Sequence, residues 1–166
     1  MTLHGTIPVL PPFQWSEFIL ENPDEAQIVG GDVNSISDPM SDLQTVNAEV
    51  NTGIVSDREG WAARRSTPGD YQDRWKLWPE SGWCGDYSVT KRHELLTRGW
   101  PSGALLLVEC ITAMGEDHAV LVVCLANNDL VLDNLVGVLR SPEHTGYKWV
   151  KVQSADDPKL WFGVGK

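Results

Sequence analysis

The chain lacks a basic surplus. Its 13 lysines and arginines are outnumbered by 23 aspartates and glutamates, which leaves a net charge of −10. Nucleic acids and anionic membranes are held by basic patches, so neither is expected as a partner. No apolar run approaches the ~18 residues of a membrane span. The opening residues, Met1-Thr2-Leu3-His4-Gly5-Thr6-Ile7-Pro8, show no basic start followed by an apolar stretch, so no export signal is expected in the chain as it stands. On that reading the expected location is the cytoplasm. Cysteine is scarce: Cys84, Cys110 and Cys124 are odd in number and not closely paired, which excludes a disulfide framework. With no CxxC pair and no Cys/His cluster, structural zinc is not expected.

What is present suits one folded domain. A chain of 166 residues, 42% apolar and 22% charged, has enough apolar content to bury a core. Residues 1–40 read as an N-terminal arm and opening segment, and 41–166 as a single domain. Eight tryptophans is a high number, and most are expected in packing. Trp75, Trp78 and Trp83 crowd the segment ahead of Cys84, and some of them are expected to line a cleft.

Residues 1–12, ending in Pro11-Pro12, predict an extended arm. Ser16 through Glu21 predicts a short helix with Ser16 as N-cap. Residues 22–41 are rich in Asn, Asp, Gly, Ser and Pro and predict loop. Ser41 then caps a helix in which Leu43, Val46, Val50 and Ile54 recur at helical spacing. Residues 56–83 read as irregular, with a turn at Thr67-Pro68-Gly69-Asp70 and a break at Trp78-Pro79. A helix from about Gly85 to Arg98, with Tyr87, Val89, Leu95 and Leu96 as its buried stripe, is stopped by Gly99 and Pro101. Strand-like runs follow at Ala104–Thr112, His118–Ala126, Asp129–Val138 and Lys148–Gln153. Helices first and an antiparallel meander afterwards predict an α+β fold.

Three residues in this order carry chemistry. Cys84 sits in Trp83-Cys84-Gly85-Asp86-Tyr87 at the start of a helix, where the backbone N–H groups and the helix dipole favour a thiolate. His118 opens a strand after the polar turn Gly115-Glu116-Asp117, and imidazole takes a proton near neutral pH. Asp133 closes the run Leu130-Val131-Leu132 and, if buried, needs a partner. A two-residue turn at Asn127-Asn128 would set Asp133 opposite Val122 and point it the same way as His118, but four positions along. A bulge, a longer loop or strand twist has to close that gap. Thiol, base and orienting acid together predict acyl transfer or peptide hydrolysis. The Cys84 N–H is one expected oxyanion donor, and Trp83, Gly85 and Asp86 are candidates for the oxyanion site and cleft.

The stretch from Val46 to Leu135 resembles the bacterial transglutaminase-like cysteine peptidases, the group that includes the LapG proteases. The resemblance rests on an ordered set: Val46-Asn47-Ala48-Glu49-Val50-Asn51, Ser56-Asp57-Arg58-Glu59-Gly60, Ser66-Thr67-Pro68-Gly69-Asp70, Cys84-Gly85-Asp86-Tyr87, His118-Ala119-Val120-Leu121 and Leu130-Val131-Leu132-Asp133-Asn134. It implies a papain/transglutaminase-like α+β fold with N-terminal helices packed on an antiparallel sheet. It also implies a nucleophile at Cys84, a general base and acid at His118, an orienter at Asp133 and a protein or peptide substrate. Relatives of the LapG type bind calcium through acidic residues flanking the cysteine. Here Trp83 and Gly85 hold those places and only Asp86 remains, so no tight metal site and no cofactor are expected. Secreted relatives are periplasmic, which the missing export signal does not match. Two other functions are compatible with the residues: a transglutaminase or acyl transferase with the same triad, and a non-catalytic binding module or phage-particle component on the same fold.

Overall fold

The helix that begins at Cys84 lies at the centre of the molecule. The computed structural model describes residues 3–66 and 74–165, with side chains everywhere except 64–66. In order the elements are β1 (Gly5–Val9), α1 (Phe13–Glu21), α2 (Pro39–Gly53), β2 (Val55–Ser56), α3 (Arg58–Ser66), β3 (Ser81–Gly82) and α4 (Cys84–Thr97). The strands β4 (Leu105–Ile111), β5 (Asp117–Cys124), β6 (Asp129–Leu132), β7 (Lys148–Gln153) and β8 (Trp161–Val164) follow. The class is α+β, with the helices packed on an antiparallel sheet.

The expected stripe of α4 holds for Tyr87, Val89 and Leu95, all buried, while Leu96 is half-buried. The helix is covered on more than that stripe, because Lys91 and Arg92 are also buried. Arg92 is held by backbone carbonyls: Nε donates to Leu105 (3.2 Å) and Nη1 to Glu25 (2.8 Å). Burial nevertheless pulls its guanidinium down to about 10, against the opposing charge of Glu25.

The helix ends as predicted. Gly99 adopts φ +89°, and the Trp100 N–H turns back to the Leu95 carbonyl at 3.1 Å. Leu43, Val46 and Val50 of α2 are fully buried and pack in the same core as Tyr87 and Leu95.

The six-stranded sheet runs β1-β8-β7-β4-β5-β6. The central strand β4 is apolar on both faces. Leu105 and Leu107 join the core shared with the helices, while Leu106 and Val108 join a second cluster with Leu3, Val120, Val122, Val131 and Val152. Only β4-β5-β6 forms the expected meander. β7 returns beside β4 instead of beside β6, and β8 and β1 extend the sheet beyond it.

Several local expectations need correction. Residues 5–9 of the extended arm pair with β8. α1 starts at Phe13 because the Pro12 carbonyl accepts from Trp15 N–H (3.1 Å) and Ser16 N–H (3.2 Å), so Ser16 lies inside the helix. Asp38, not Ser41, caps α2, its side chain accepting from Ser41 N–H. The segment read as irregular contains α3, and β2 pairs in parallel with β3 within it. The break at Trp78 is real: φ there is +45°. The 67–70 turn lies outside the described residues. β6 stops at Leu132, not Val138.

Leu95 is fully buried between α4 and its neighbours. Leu95→Ala should lower stability by about 2–5 kcal/mol. In urea unfolding the midpoint should fall while the slope stays unchanged.

Candidate functional site

Cys84 is held at the first turn of α4 by contacts on three sides. Ahead of it, β3 is tied to the α2–α3 link: Val55 N–H bonds to the Glu80 carbonyl (3.0 Å) and Asp57 N–H to the Gly82 carbonyl (2.9 Å). The Asp86 carboxylate reaches back over the helix end. Its Oδ2 accepts from Trp83 N–H (2.9 Å) and its Oδ1 from Lys76 N–H (2.8 Å). Gly82 gives it room, since a methyl group there would overlap the carboxylate. Gly85 has a matching role, because its bare Cα lies under the Trp75 indole and any side chain would collide with it. One turn on, the Ser88 hydroxyl lies 2.8 Å from the Cys84 carbonyl and 3.0 Å from the Ala119 carbonyl. That hydroxyl fastens the cysteine's helix to the strand of the histidine.

His118 lies on β5 opposite Cys110 of β4. Its Nε2 is 2.9 Å from Asp133 Oδ1, with both side chains almost wholly buried. An ionised carboxylate only accepts, so Nε2 carries the proton and Nδ1 is the ring's basic nitrogen.

The sequence left open how these two residues meet, and the register answers it. Leu121 faces Leu132 and Val122 faces Val131. Leu125 N–H bonds to the Asn128 carbonyl, so the two-residue turn is Ala126-Asn127, one position earlier than expected. Continued past Leu132, this register sets Asp133 opposite Val120, two positions from His118 instead of four. The slip is by two, so the faces are unchanged and the gap closes by one side-chain repeat of about 7 Å.

Asp133 has more partners than the histidine. Oδ1 also accepts from Leu135 N–H (2.9 Å), and Oδ2 accepts from the Tyr147 hydroxyl (2.6 Å). Arg140 Nη2 lies 3.8 Å from Oδ2. Burial pushes the Asp133 carboxyl up. The hydrogen bond and charge of His118, then Tyr147 and Leu135, outweigh it and hold the group below the usual carboxylate range. Sequence reasoning missed Tyr147, Arg140 and Lys91. Lys91, two turns along α4 from Cys84, is buried; desolvation lowers it to about 7 while the charge of Asp133 opposes the shift. A lysine flanked by Thr90 and Arg92 carries no sequence signal of burial.

Two hollows adjoin the site. One, of about 280 Å³, is lined by Pro12, Phe13, Trp61, Trp75, Cys84 and His118 among others. The second, of about 340 Å³, is lined by Arg58, Trp61, Trp83, Asp117, His118 and Leu135 among others. Trp61, Asp117 and His118 are common to both. Of the tryptophans near Cys84, Trp75 and Trp83 thus line the cleft, and Trp83 packs on Trp61 with ring centroids 6.3 Å apart. Trp78 instead points outward and donates to Glu94.

A family model described as the bacterial transglutaminase-like cysteine proteinase matches residues 6–166. The chain belongs to that family. Solved structures of Legionella pneumophila LapG share the fold. One is 22% identical over 74% of this chain and 67% of its own, with a TM-score of 0.59. The EGTA-treated form is 23% identical over 74% of this chain and 66% of its own, with a TM-score of 0.57. The calcium-bound form is 21% identical over 92% of this chain and 78% of its own, with a TM-score of 0.58. The chain therefore spans about two thirds of the LapG chain in the first two comparisons. A comparison with curated proteins finds no match. The family and these structures share the fold described above, helices on an antiparallel sheet, with Cys84 in this member at the start of a helix.

The buried Lys91 makes a testable signature in this family member. Between about pH 7 and the ordinary lysine value of about 10.4 the unfolded chain binds a proton that the folded chain releases. Stability from this group therefore rises with pH across that window. Subtracting the urea stability curve of Lys91→Met from that of the wild type should give this rise, and a flat difference would contradict it.

Proposed function

We propose that the chain is a cysteine peptidase in which Cys84 is the nucleophile, His118 the general base and acid, and Asp133 the orienter. The observation that carries the reading is the 2.9 Å contact between His118 Nε2 and Asp133 Oδ1, in a histidine that lines the same hollow as Cys84. With Nε2 held by the acid, Nδ1 is the nitrogen that takes the thiol proton. The thiolate then attacks a peptide carbonyl carbon, and a C–S bond forms as the C–O π bond opens to an oxyanion. N–H groups at the first turn of α4 stabilise that oxyanion. Collapse breaks the C–N bond, and His118 gives its proton to the departing amine. Water, deprotonated by His118, attacks the thioester and releases the acid and the thiol. Two hollows that share Trp61, Asp117 and His118 in their walls suit an extended peptide whose side chains enter both. The substrate we assign is accordingly a protein segment. Capture of the acyl-enzyme by an amine in place of water would be transglutamination, and mass spectra separate a shortened peptide from a cross-link.

Calcium does not fit at the start of α4. Both oxygens of Asp86 already accept backbone N–H groups, and the flanking residues are an indole and a glycine. Calcium takes six to eight oxygens. Among the described residues there is no group of three or more His, Cys, Asp or Glu able to hold a metal.

Cys84→Ala and Cys84→Ser should each abolish cleavage of an unfolded protein substrate such as reduced casein; wild-type turnover in both variants would end the proposal. Cys84 should also react with iodoacetamide faster than Cys110, which desolvation pushes far up, and Cys124, which desolvation pushes up to about 12. Adding EGTA should leave the Cys84 alkylation rate unchanged. A chelator-dependent fall restored by calcium would show that this site takes the ion after all.

A further inference from the structure

Asp133 is held by more than its histidine, and one side chain touches both members of the pair. Tyr147 donates its hydroxyl to Asp133 Oδ2 at 2.6 Å, leaving Oδ1 for His118 and Leu135 N–H. Its ring meets the His118 imidazole edge-on, with centroids 5.7 Å apart and planes at 79°. The ring is fixed from behind by Trp149, also edge-on at 5.9 Å, and from above by the Arg140 guanidinium at 5.8 Å. The backbone that delivers it is pinned as well. Tyr147 N–H bonds to Thr145 Oγ1, Thr145 Oγ1 donates to the Pro142 carbonyl, and Gly146 supplies φ +72°. Arg140 is anchored by its bridge to Val131, its carbonyl accepting from Val131 N–H at 2.8 Å.

We propose that Tyr147 is a positioning residue of this site. Its hydroxyl orients the Asp133 carboxylate toward His118, and its ring confines the imidazole to the rotamer in which Nε2 meets the acid. The inference rests on the triad reading above. A carboxylate with one oxygen tethered loses rotation about its terminal bond, so its other oxygen is presented to the imidazole before the thiol is deprotonated. The hydroxyl also draws charge from the carboxylate and so tempers how strongly Asp133 favours the imidazolium. Among the described residues, the other charged or titratable groups around the pair include Arg140, Lys91 of α4, Cys110 and Glu109 of β4, Asp117 of β5, Lys151 of β7, Arg58 and Glu116 beside the second hollow, and Cys84 itself. Arg140 also lies against the Tyr147 side chain and loses its contact with the hydroxyl in Tyr147→Phe, whereas the others are unchanged by substitution at 147 and form a constant background.

The test is the pH dependence of Cys84 alkylation by iodoacetamide, read by peptide mass spectrometry, which needs no substrate. Tyr147→Phe keeps the ring and removes only the donor. It should slow alkylation at pH 7 by about three- to tenfold, the scale of a lost hydrogen bond to a charged group acting through one intermediary. It should also move the histidine limb of the profile to higher pH, because an untethered carboxylate holds the imidazolium more strongly. A role in packing alone would lower the plateau and leave the midpoints in place. In an Asp133→Asn background Tyr147→Phe should add nothing further. If the Phe variant fails to fold, 3-fluorotyrosine installed at 147 keeps ring and hydroxyl, strengthens the donor and should move the same limb to lower pH. Wild-type rate and midpoints in Tyr147→Phe, or a full additional loss in the Asn background, overturn the role of Tyr147. His118→Ala separates the two readings. If it leaves the Cys84 rate unchanged, the thiol–imidazole pairing falls and this role falls with it. If it slows Cys84 while Tyr147→Phe does not, only the tyrosine's role falls.

Discussion

A carboxylate at 2% exposure is the constraint around which this fold is organised. An ionised acid removed from water without partners costs several kcal/mol, so the chain has to bring donors to Asp133. They arrive from separate segments: an imidazole from β5, a backbone N–H from the turn after β6 and a phenol from the approach to β7. The local structure follows from that demand. β6 ends at Leu132 so that the next residue can turn inward, Val131 binds Arg140 to bring the chain back, and Gly146 allows the reversal that aims Tyr147. The main chain of Asp133 is held too, its carbonyl accepting from Asn51 of α2 at 2.9 Å. Helix α2 is thereby tied to the main chain of the acid.

The thiol's side of the site is built on different physics. The position of Cys84 comes from sterics and from one buried hydroxyl. Trp75 covers Gly85, Asp86 closes the helix end, and Ser88 links the carbonyls of Cys84 and Ala119. Ala119 adjoins His118 in sequence. A shift of α4 along β5 would break that link.

Much of this was legible in the sequence. The apolar runs located β4, β5 and β7, the Gly99 stop located the end of α4, and the 3.6-residue spacing of Leu43, Val46 and Val50 located α2. These signals are local, and local chemistry determines them. The histidine and the acid were legible as residues but not as a contact. The Asn-Asn pair suggested a turn one residue later than Ala126-Asn127, and a shift of one in a hairpin displaces every facing partner by two. α3 was missed because Arg58, Glu59, Gly60 and the arginines after Trp61 offer little apolar periodicity. β1 and β8 were missed because their pairing joins segments some 150 positions apart, beyond any window in which periodicity is read. Tyr147, Arg140 and Lys91 fall in the same class. Nothing in their neighbours announces that the fold will converge them on one carboxylate.

The pairing of β1 with β8 also sets a schedule. Pro12 and Phe13, which line the hollow beside Cys84, are carried there by the strand just before them, and that strand has no bed until residues 161–164 have been made. On the ribosome the helix, the thiol and the imidazole all emerge earlier than this. This wall of the hollow is therefore installed after the helix and the strand that it faces.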